Sequence, residues 1–592
     1  MKKRSGIRKF SLITAISVLL ICLTGALIAL GINRTFDKGG LGGVSGGSQN
    51  DKYAAADDVA ASDLETYVKT FTLKASMNAQ ERGNLWDEAI AVTDGKVLFV
   101  LEDDWTATTT GDFYTAPFTD NVAGQKALCI PNGCKMVLDL NGNTINRNLS
   151  SRINDGNVIT VMGGGKLEIC GNGKITGANN VNGGCIRIRA NAEMVLNGVE
   201  ISGNVAAGGA GIVVNGTLTV NDALITNNQI PDDTYADNTY IGGGGIACGA
   251  SSVVTMNGGT ISGNSSIWGG GVSVMGGGKF IMNGGTISSN TAIRSGGGGV
   301  YLEGNISQTA FAEFEMNGGT ITDNTVASSV TDGGGAGVYI SAYGKFKMYG
   351  GAISNNISSL YAGGVLIQGG GQYPSQFEML GGTVSGNRSG GGCGGGGVFV
   401  RQGNDNTFKM YGGTISGNYS DGYGGGVNLY GSGSNAKAYF YGGTITGNTA
   451  SMGGGGIYVP DAQSMYLYGP LICTENTVGS QANNVELSNL SGNTSINGGS
   501  GARINVGTAA GYSLAGARIY IYTSPYPTST QYWYFTKGYE AASTSLPSAR
   551  PNTYFYVDNT ALACGWDGTG EVYMLHPTSF LTYIQAKWEY KL

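Results

Sequence analysis

The sequence predicts an all-β solenoid, a stack of about a dozen coils closed by a helical cap at one end and a strand-rich cap at the other. Three observations carry this expectation. One phrase recurs between Met256 and Val459: an apolar pair, Gly-Gly-Thr-Ile-Ser-Gly-Asn, a glycine run and an apolar triplet. Within each unit the residues alternate apolar, polar, apolar, as in Phe314, Glu315 and Met316, which is strand periodicity. And the 592 residues contain 105 Gly but a hydrophobic fraction of 41%, too high for a flexible Gly-rich linker, so the chain folds.

In chain order, residues 1–9 form a basic flank and residues 10–32 an uncharged apolar stretch long enough to span a bilayer, with the basic side cytoplasmic. Ala29-Leu30-Gly31 also fits a small-x-small cleavage site, so this stretch reads either as an uncleaved anchor or as a long signal peptide. Both readings export the rest, which is expected at the extracellular surface, tethered to the cytoplasmic membrane or secreted. Residues 33–60 are a Gly/Ser linker.

Residues 61–127 form the N-terminal cap. A helix is expected to start with Asn84 as N-cap and Asp87 in its first turn and to stop at Asp94-Gly95. Trp86, Ala89, Ile90 and Val92 then cover the open end of the stack. Val97 to Leu101 is the first clear strand.

Residues 128–488 are the repeats. Phase markers fall at Asn148, Ala178 (where Asn is replaced), Asn204, Asn228, Asn264, Asn290, Asn324, Asn356, Asn387, Asn418, Asn448 and Asn476. Coils that stack like neighbouring strands, about 4.8 Å apart, make a rod on the order of 60 Å long. Each marker Asn is placed at a turn, its amide bonded to backbone and to the Asn above and below. The glycines supply the turn conformations that residues with a Cβ avoid. Residues 489–592, where the period fails and Tyr and Trp rise, form the β-rich C-terminal cap.

The phrases GGTISGN and GGGGVYL, and above all Gly350-Gly-Ala-Ile353, resemble the repeats of right-handed parallel β-helix surface proteins, among them the polymorphic outer-membrane proteins of chlamydiae. A nearer likeness is to adhesin-like β-helix proteins of Gram-positive gut anaerobes, whose rods open on a line like Leu138-Asp-Leu-Asn-Gly-Asn-Thr-Ile145. The likeness covers roughly residues 85 to 575. It implies a right-handed parallel β-helix with an adhesin or cell-envelope role.

Two outward ladders follow from the alternation. Just before each Gly pair stand Asn257, Asn283, Asn317, Tyr349, Leu380, Tyr411, Tyr441 and Tyr468; after the glycine runs stand Ser273, Tyr301, Tyr339, Leu366, Phe399, Asn428 and Tyr458. Exposed aromatics one coil apart suit sugar rings or protein partners, so Tyr349, Tyr411, Tyr441, Tyr468, Tyr301, Tyr339, Phe399 and Tyr458 are the candidate binding residues for polysaccharide or a surface protein. The competing reading is that stacked aromatics only steady neighbouring strands. A third row, Glu315, Lys347, Glu378 and Lys409, alternates in sign and reads as structural.

Catalysis is the minority expectation. Lyases and hydrolases also use β-helices, and the best cluster for one is Arg187 and Arg189 with Lys166, Glu168, Glu193 and Glu200; Asp232-Asp233 stand in a loop insertion. Solvated strand faces are the preferred explanation of these residues. A spacer role and lateral association of rods stand beside these readings. No cofactor or metal is expected: there is no CxxC pair, and the one histidine is His576. Cys129 and Cys134 flank Ile-Pro-Asn-Gly and could close a small loop, while Cys170, Cys248 and Cys473 read as small buried hydrophobes. A net charge of −6 with 12% charged residues leaves no basic stripe for nucleic acid.

Overall fold

A computed structural model describes residues 67–108, 113 and 127–576, less 182, 233–241, 308, 328–332, 370–372, 402, 404, 431–435, 461–463, 491–500, 529–530, 540–553 and 567–570. The flank, the apolar stretch and the linker of residues 1–60 lie outside the described residues. Among those described, no helix is long and apolar enough to cross a membrane.

The chain is a parallel β-helix. Each coil of the regular part lays down the same strands, illustrated by Lys279–Met282, Thr286–Ser288, the two-residue Thr291–Ala292 and Val300–Glu303. Each pairs in parallel, and in register, with its counterpart one coil on: Phe280 with Phe314, Ile287 with Ile321, Val300 with Val338. Because the register is fixed, like residues stack on like. Phe314, Phe346 and Phe377 form an internal column with ring centroids 4.8 and 4.7 Å apart and planes within 11° and 4°. Met282, Met316, Met348 and Met379 form a second buried column and Ile287, Ile321 and Ile353 a third.

The marker asparagines build a buried amide ladder from Asn204 to Asn484. At each rung the backbone N–H and the Nδ2 of one Asn both donate to Oδ1 of the next, as Asn324 does to Asn356 at 3.0 and 2.9 Å. Nδ2 also donates to a backbone carbonyl of the preceding coil, Ile287 in this case, at 3.0 Å. Ala178, the replaced marker, begins the series by donating its N–H to Asn204 Oδ1. Asn148 is not a rung: its neighbour Arg147 is the buried residue there, donating to the Asn157 carbonyl at 2.9 Å. At the far end Asn484 donates to both oxygens of Asp558, at 2.8 and 2.6 Å, so a carboxylate terminates the ladder.

Glycine is required where the ladder meets the next strand. A Cβ on Gly337 would stand 2.7 Å from Ile353 Cγ2 and 2.8 Å from the Gly364 carbonyl oxygen. The residue before each marker Asn adopts positive φ whatever its identity, including Ser289 at 55° and Glu475 at 61°, beside Gly417 at 62°. Left-handed backbone costs a residue with a Cβ roughly 1–2 kcal/mol. Ser289→Gly and Glu475→Gly should therefore each stabilise the rod by about 1 kcal/mol, read as a higher denaturation midpoint.

Both ends are closed. The helix spans Ala79–Ile90, earlier than expected from Asn84, because Asn78 and Glu81 form a reciprocal capping box at its N-terminus. Asn84 lies inside the helix and accepts from Gln80. Trp86, Ala89 and Ile90 are buried as anticipated, Trp86 edge-on to Phe99 and Trp105. A strand not foreseen, Lys69–Leu73, precedes the helix and pairs in parallel with Lys96–Leu101. At the other end parallel pairing runs past residue 488 to Phe555–Val557. The true lid is a three-stranded antiparallel sheet of Tyr532–Tyr534, Val572–Leu575 and Ala563–Trp566. Cys129 and Cys134 are both buried and are not bridged to one another.

Two carboxyls near this end titrate unusually. Burial pushes Glu486 and Asp558 above the ordinary carboxylate range, against the hydrogen bonds each accepts. The folded chain thus holds these protons more tightly than the unfolded chain. Their stabilising contribution is complete below the ordinary carboxylate pKa and is lost as pH rises through the raised folded values. Asp103 beside Arg82 and Asp232 beside Arg294 shift downward, but both are exposed and solvent-screened, so they oppose this only weakly. The melting temperature should fall between mildly acidic and neutral pH, and Asp558→Asn combined with Glu486→Gln should flatten that slope.

Candidate binding surface

The row before the Gly pairs does face outward. Its first part is a second amide ladder, on the surface: Asn221, Asn257, Asn283 and Asn317 each donate Nδ2 to Oδ1 of the Asn one coil earlier, at 2.8 to 3.0 Å. It runs opposite to the buried ladder and also ends on a carboxylate, Asn197 donating to Glu168 Oε1 at 2.8 Å.

Beyond Asn317 the row becomes aromatic. Tyr349 and Leu380 are 42% and 41% exposed. Tyr411, Tyr441 and Tyr468 then stack with centroids 4.7 and 5.1 Å apart and planes within 11°. The rings therefore face one another along the rod and turn edges and hydroxyls to solvent, rather than forming the flat track of ring faces that the spacing suggested. Desolvation raises the phenol pKa of Tyr411 and Tyr441. Tyr439 and Tyr466 make a parallel stack at 4.9 Å, and Tyr512 leans on Tyr411 and Tyr441 at 6.4 and 5.0 Å. Gly507 lies against the Tyr468 ring. The segment carrying Gly507 and Tyr512 thus seats on the C-terminal part of the row, leaving Tyr349, Leu380, the near side of Tyr411 and the 40% exposed Tyr512 as the open patch. Tyr439 and Tyr466 were legible in the sequences Tyr439-Phe-Tyr441 and Tyr466-Leu-Tyr468; Tyr512, reaching over from a loop, left no signal.

The alternating charges run beside this patch. Lys409 and Lys347 share Glu378 at 3.0 and 3.8 Å, and Lys279 holds Glu315 at 2.9 Å. A cleft of about 140 Å³ lies between Glu313 and Glu315 on one coil and Lys345 and Lys347 on the next, the coils that carry Asn317 and Tyr349.

The second outward ladder is a correction. Tyr301, Tyr339, Phe399 and Tyr458 are buried, at 6%, 6%, 0% and 9% exposure, as are Ser273, Leu366 and Asn428. The turn segments and glycine runs fold back over this face, and Tyr301, Tyr339, Ala362, Leu366 and Phe399 form a small second core against Trp268 and Tyr361. The glycines are small because of it: a Cβ on Gly334 would meet Tyr361 and Leu366 at 2.7 and 2.8 Å. Tyr301 donates its hydroxyl to Glu303 and Tyr458 accepts from Ser488. These four aromatics are unavailable to a ligand.

The early charged residues do not converge on one point. Lys166 pairs with Glu193 at 2.8 Å, Glu168 with Lys96 at 3.4 Å, Lys174 with Glu200 at 3.1 Å and Arg187 with Asp155 at 3.2 Å. Arg187 and Arg189 flank Ile188 on a strand of a different row from the one that carries Lys166, Glu168 and Glu193. Asp232 is held by Arg294. Apart from Arg189, these residues are held in cross-strand or surface pairs.

The molecule is thus a capped parallel β-helix with one open aromatic patch beside a charge zipper. Comparison with protein-family models, with curated proteins and with solved structures finds no match.

Proposed function

We propose that this is an exported cell-surface β-helix protein, adhesin-like, that presents the open patch of Tyr349, Leu380, Tyr411 and Tyr512 to glycan or to another envelope or host surface. The observation that supports the reading is the contiguity of these exposed side chains with Lys347, Glu378 and Lys409. Amphipathic aromatics flanked by polar groups that can orient a ligand are the composition of recognition sites. Export rests on the apolar residues 10–32, and the tether, if uncleaved, on the same segment. A lyase or hydrolase reading lacks comparable support, since Arg187, Arg189, Lys166, Glu168 and Glu193 do not form a site with one another.

Affinity electrophoresis of the full-length chain through gels containing neutral or acidic soluble polysaccharides tests this. Retardation is expected in at least one gel, and Tyr349→Ala with Tyr411→Ala should weaken it about tenfold, the effect of one binding hot spot. Retardation unchanged by both substitutions, or release of reducing ends, would sink the proposal.

A further inference from the structure

A second surface, one glycine pair further along each coil than the tyrosine row, has a different character. On the strand after each Gly pair the central residue is buried and its two neighbours face outward. The first outward position holds Thr260, Thr286, Thr320, Thr383, Thr414 and Thr444, interrupted once by Ala352. The second holds Ser or Thr in every one of those coils, from Ser262 to Thr446. Over these coils neither row holds a charged side chain, but beside the second row Asp323 and Glu475 accept hydrogen bonds from Thr322 and Thr446, and the first row begins further back with Lys174 and Glu200. All of these positions are half-buried to exposed.

The rows are held rigidly. Ile261, Ile287, Ile321, Ile353, Val384 and Ile415 between them are fully buried, and the parallel register is continuous, so hydroxyls repeat at the coil spacing along the rod and about 6.6 Å across it. Some rungs touch, Thr286 and Thr320 through their hydroxyls at 3.3 Å and Ser354 donating to Thr322 at 3.2 Å. A hydroxyl carries one donor and two acceptor sites, so each rung keeps capacity to bond outward.

Two kinds of occupant fit a flat, hydroxyl-rich lattice: a second copy of the face, or an ordered polymer with its own repeating hydroxyls. The strip is roughly 30 Å by 10 Å, about 300 Å², well below the roughly 800 Å² per partner of a stable protein interface. A second copy is therefore disfavoured. A rigid ligand that repeats along the axis instead gains one weak contact per rung without paying again for ordering, whereas a flexible soluble oligomer loses most of that gain to immobilisation. We infer that this Thr/Ser face binds the surface of a crystalline, uncharged β-linked glycan, aligned with the rod axis.

The test is co-sedimentation of the full-length chain with microcrystalline chitin and cellulose, with soluble oligomers of the same sugars as competitors. Depletion from the supernatant by at least one polymer is expected, with soluble oligomers failing to compete. Thr320→Lys with Thr383→Lys should weaken binding by at least about tenfold, since it interrupts a multivalent row. Thr320→Val with Thr383→Val keeps the branched shape while removing the hydroxyls, and should weaken it in the same direction if the lysine variant fails to fold. Glu88→Gln, on the exposed side of the capping helix and outside both surfaces, should leave sedimentation unchanged. Sedimentation with neither polymer, competition by soluble oligomers, or full binding by the valine variant overturns the inference.

Discussion

Asn356→Ala is expected to destabilise the rod by roughly 3–5 kcal/mol, because it leaves two buried donors of Asn324 without their acceptor. It also removes the Nδ2 bonds from Asn356 to Asn387 and to the Ile321 carbonyl, while the backbone N–H of residue 356 keeps its bond to Asn387. Asn283→Ala on the surface ladder deletes the same chemistry where water can replace it, and should cost under about 1 kcal/mol. Since each coil touches only its neighbours, the buried substitution should weaken the stack locally. Hydrogen exchange should rise in the coils around residues 321–387 before it rises at either end, alongside a lower denaturation midpoint. Equal effects of the two substitutions would refute the assigned role of the buried ladder.

Gly337→Ala should cost about 3 kcal/mol, at the upper end for overpacking. The added carbon meets Ile353, the Gly364 carbonyl and, at 3.1 Å, Asn356 Nδ2. A backbone carbonyl in continuous register cannot yield without shifting the next coil. Gly447→Ala is the matched comparison: φ is 64° there and a new Cβ would meet nothing nearer than Gly417 N at 4.0 Å. It should cost only about 1 kcal/mol, the penalty of left-handed backbone. Thermal melts of the two variants separate crowding from conformation.

The coil architecture and the amide ladder were legible because a period fixes both: once Asn290, Asn324 and Asn356 recur after the same apolar residue, parallel stacking brings their amides together. The charge row was legible for the same reason, Glu378 standing between Lys347 and Lys409. What periodicity does not report is what covers a strand's outer face. Tyr339 and Phe399 have the sequence pattern of exposed residues, yet the glycine runs fold over them, because a chain without side chains can lie flat against a sheet. Nor does spacing report ring orientation, so the stack of Tyr411 on Tyr441 had to be seen. The helix start was misplaced by preferring Asn84 next to Leu85-Trp86 over the capping pair of Asn78 and Glu81.

The opposed directions of the two amide ladders have an electrostatic consequence for the molecule as a whole. In the buried ladder the N–H ends of the side-chain dipoles point toward Asp558, and in the surface ladder they point toward Glu168. Each column alone would polarise the rod along its axis, as aligned peptide dipoles polarise a helix. Run antiparallel, each with an anion at its positive pole, the two columns oppose one another over the coils they share, up to Asn317, and from there the buried column continues alone to Asp558. The exchange of amide for aromatic side chains after Asn317 therefore leaves the C-terminal half of the rod with one uncompensated column, whose positive pole the Asp558 carboxylate meets.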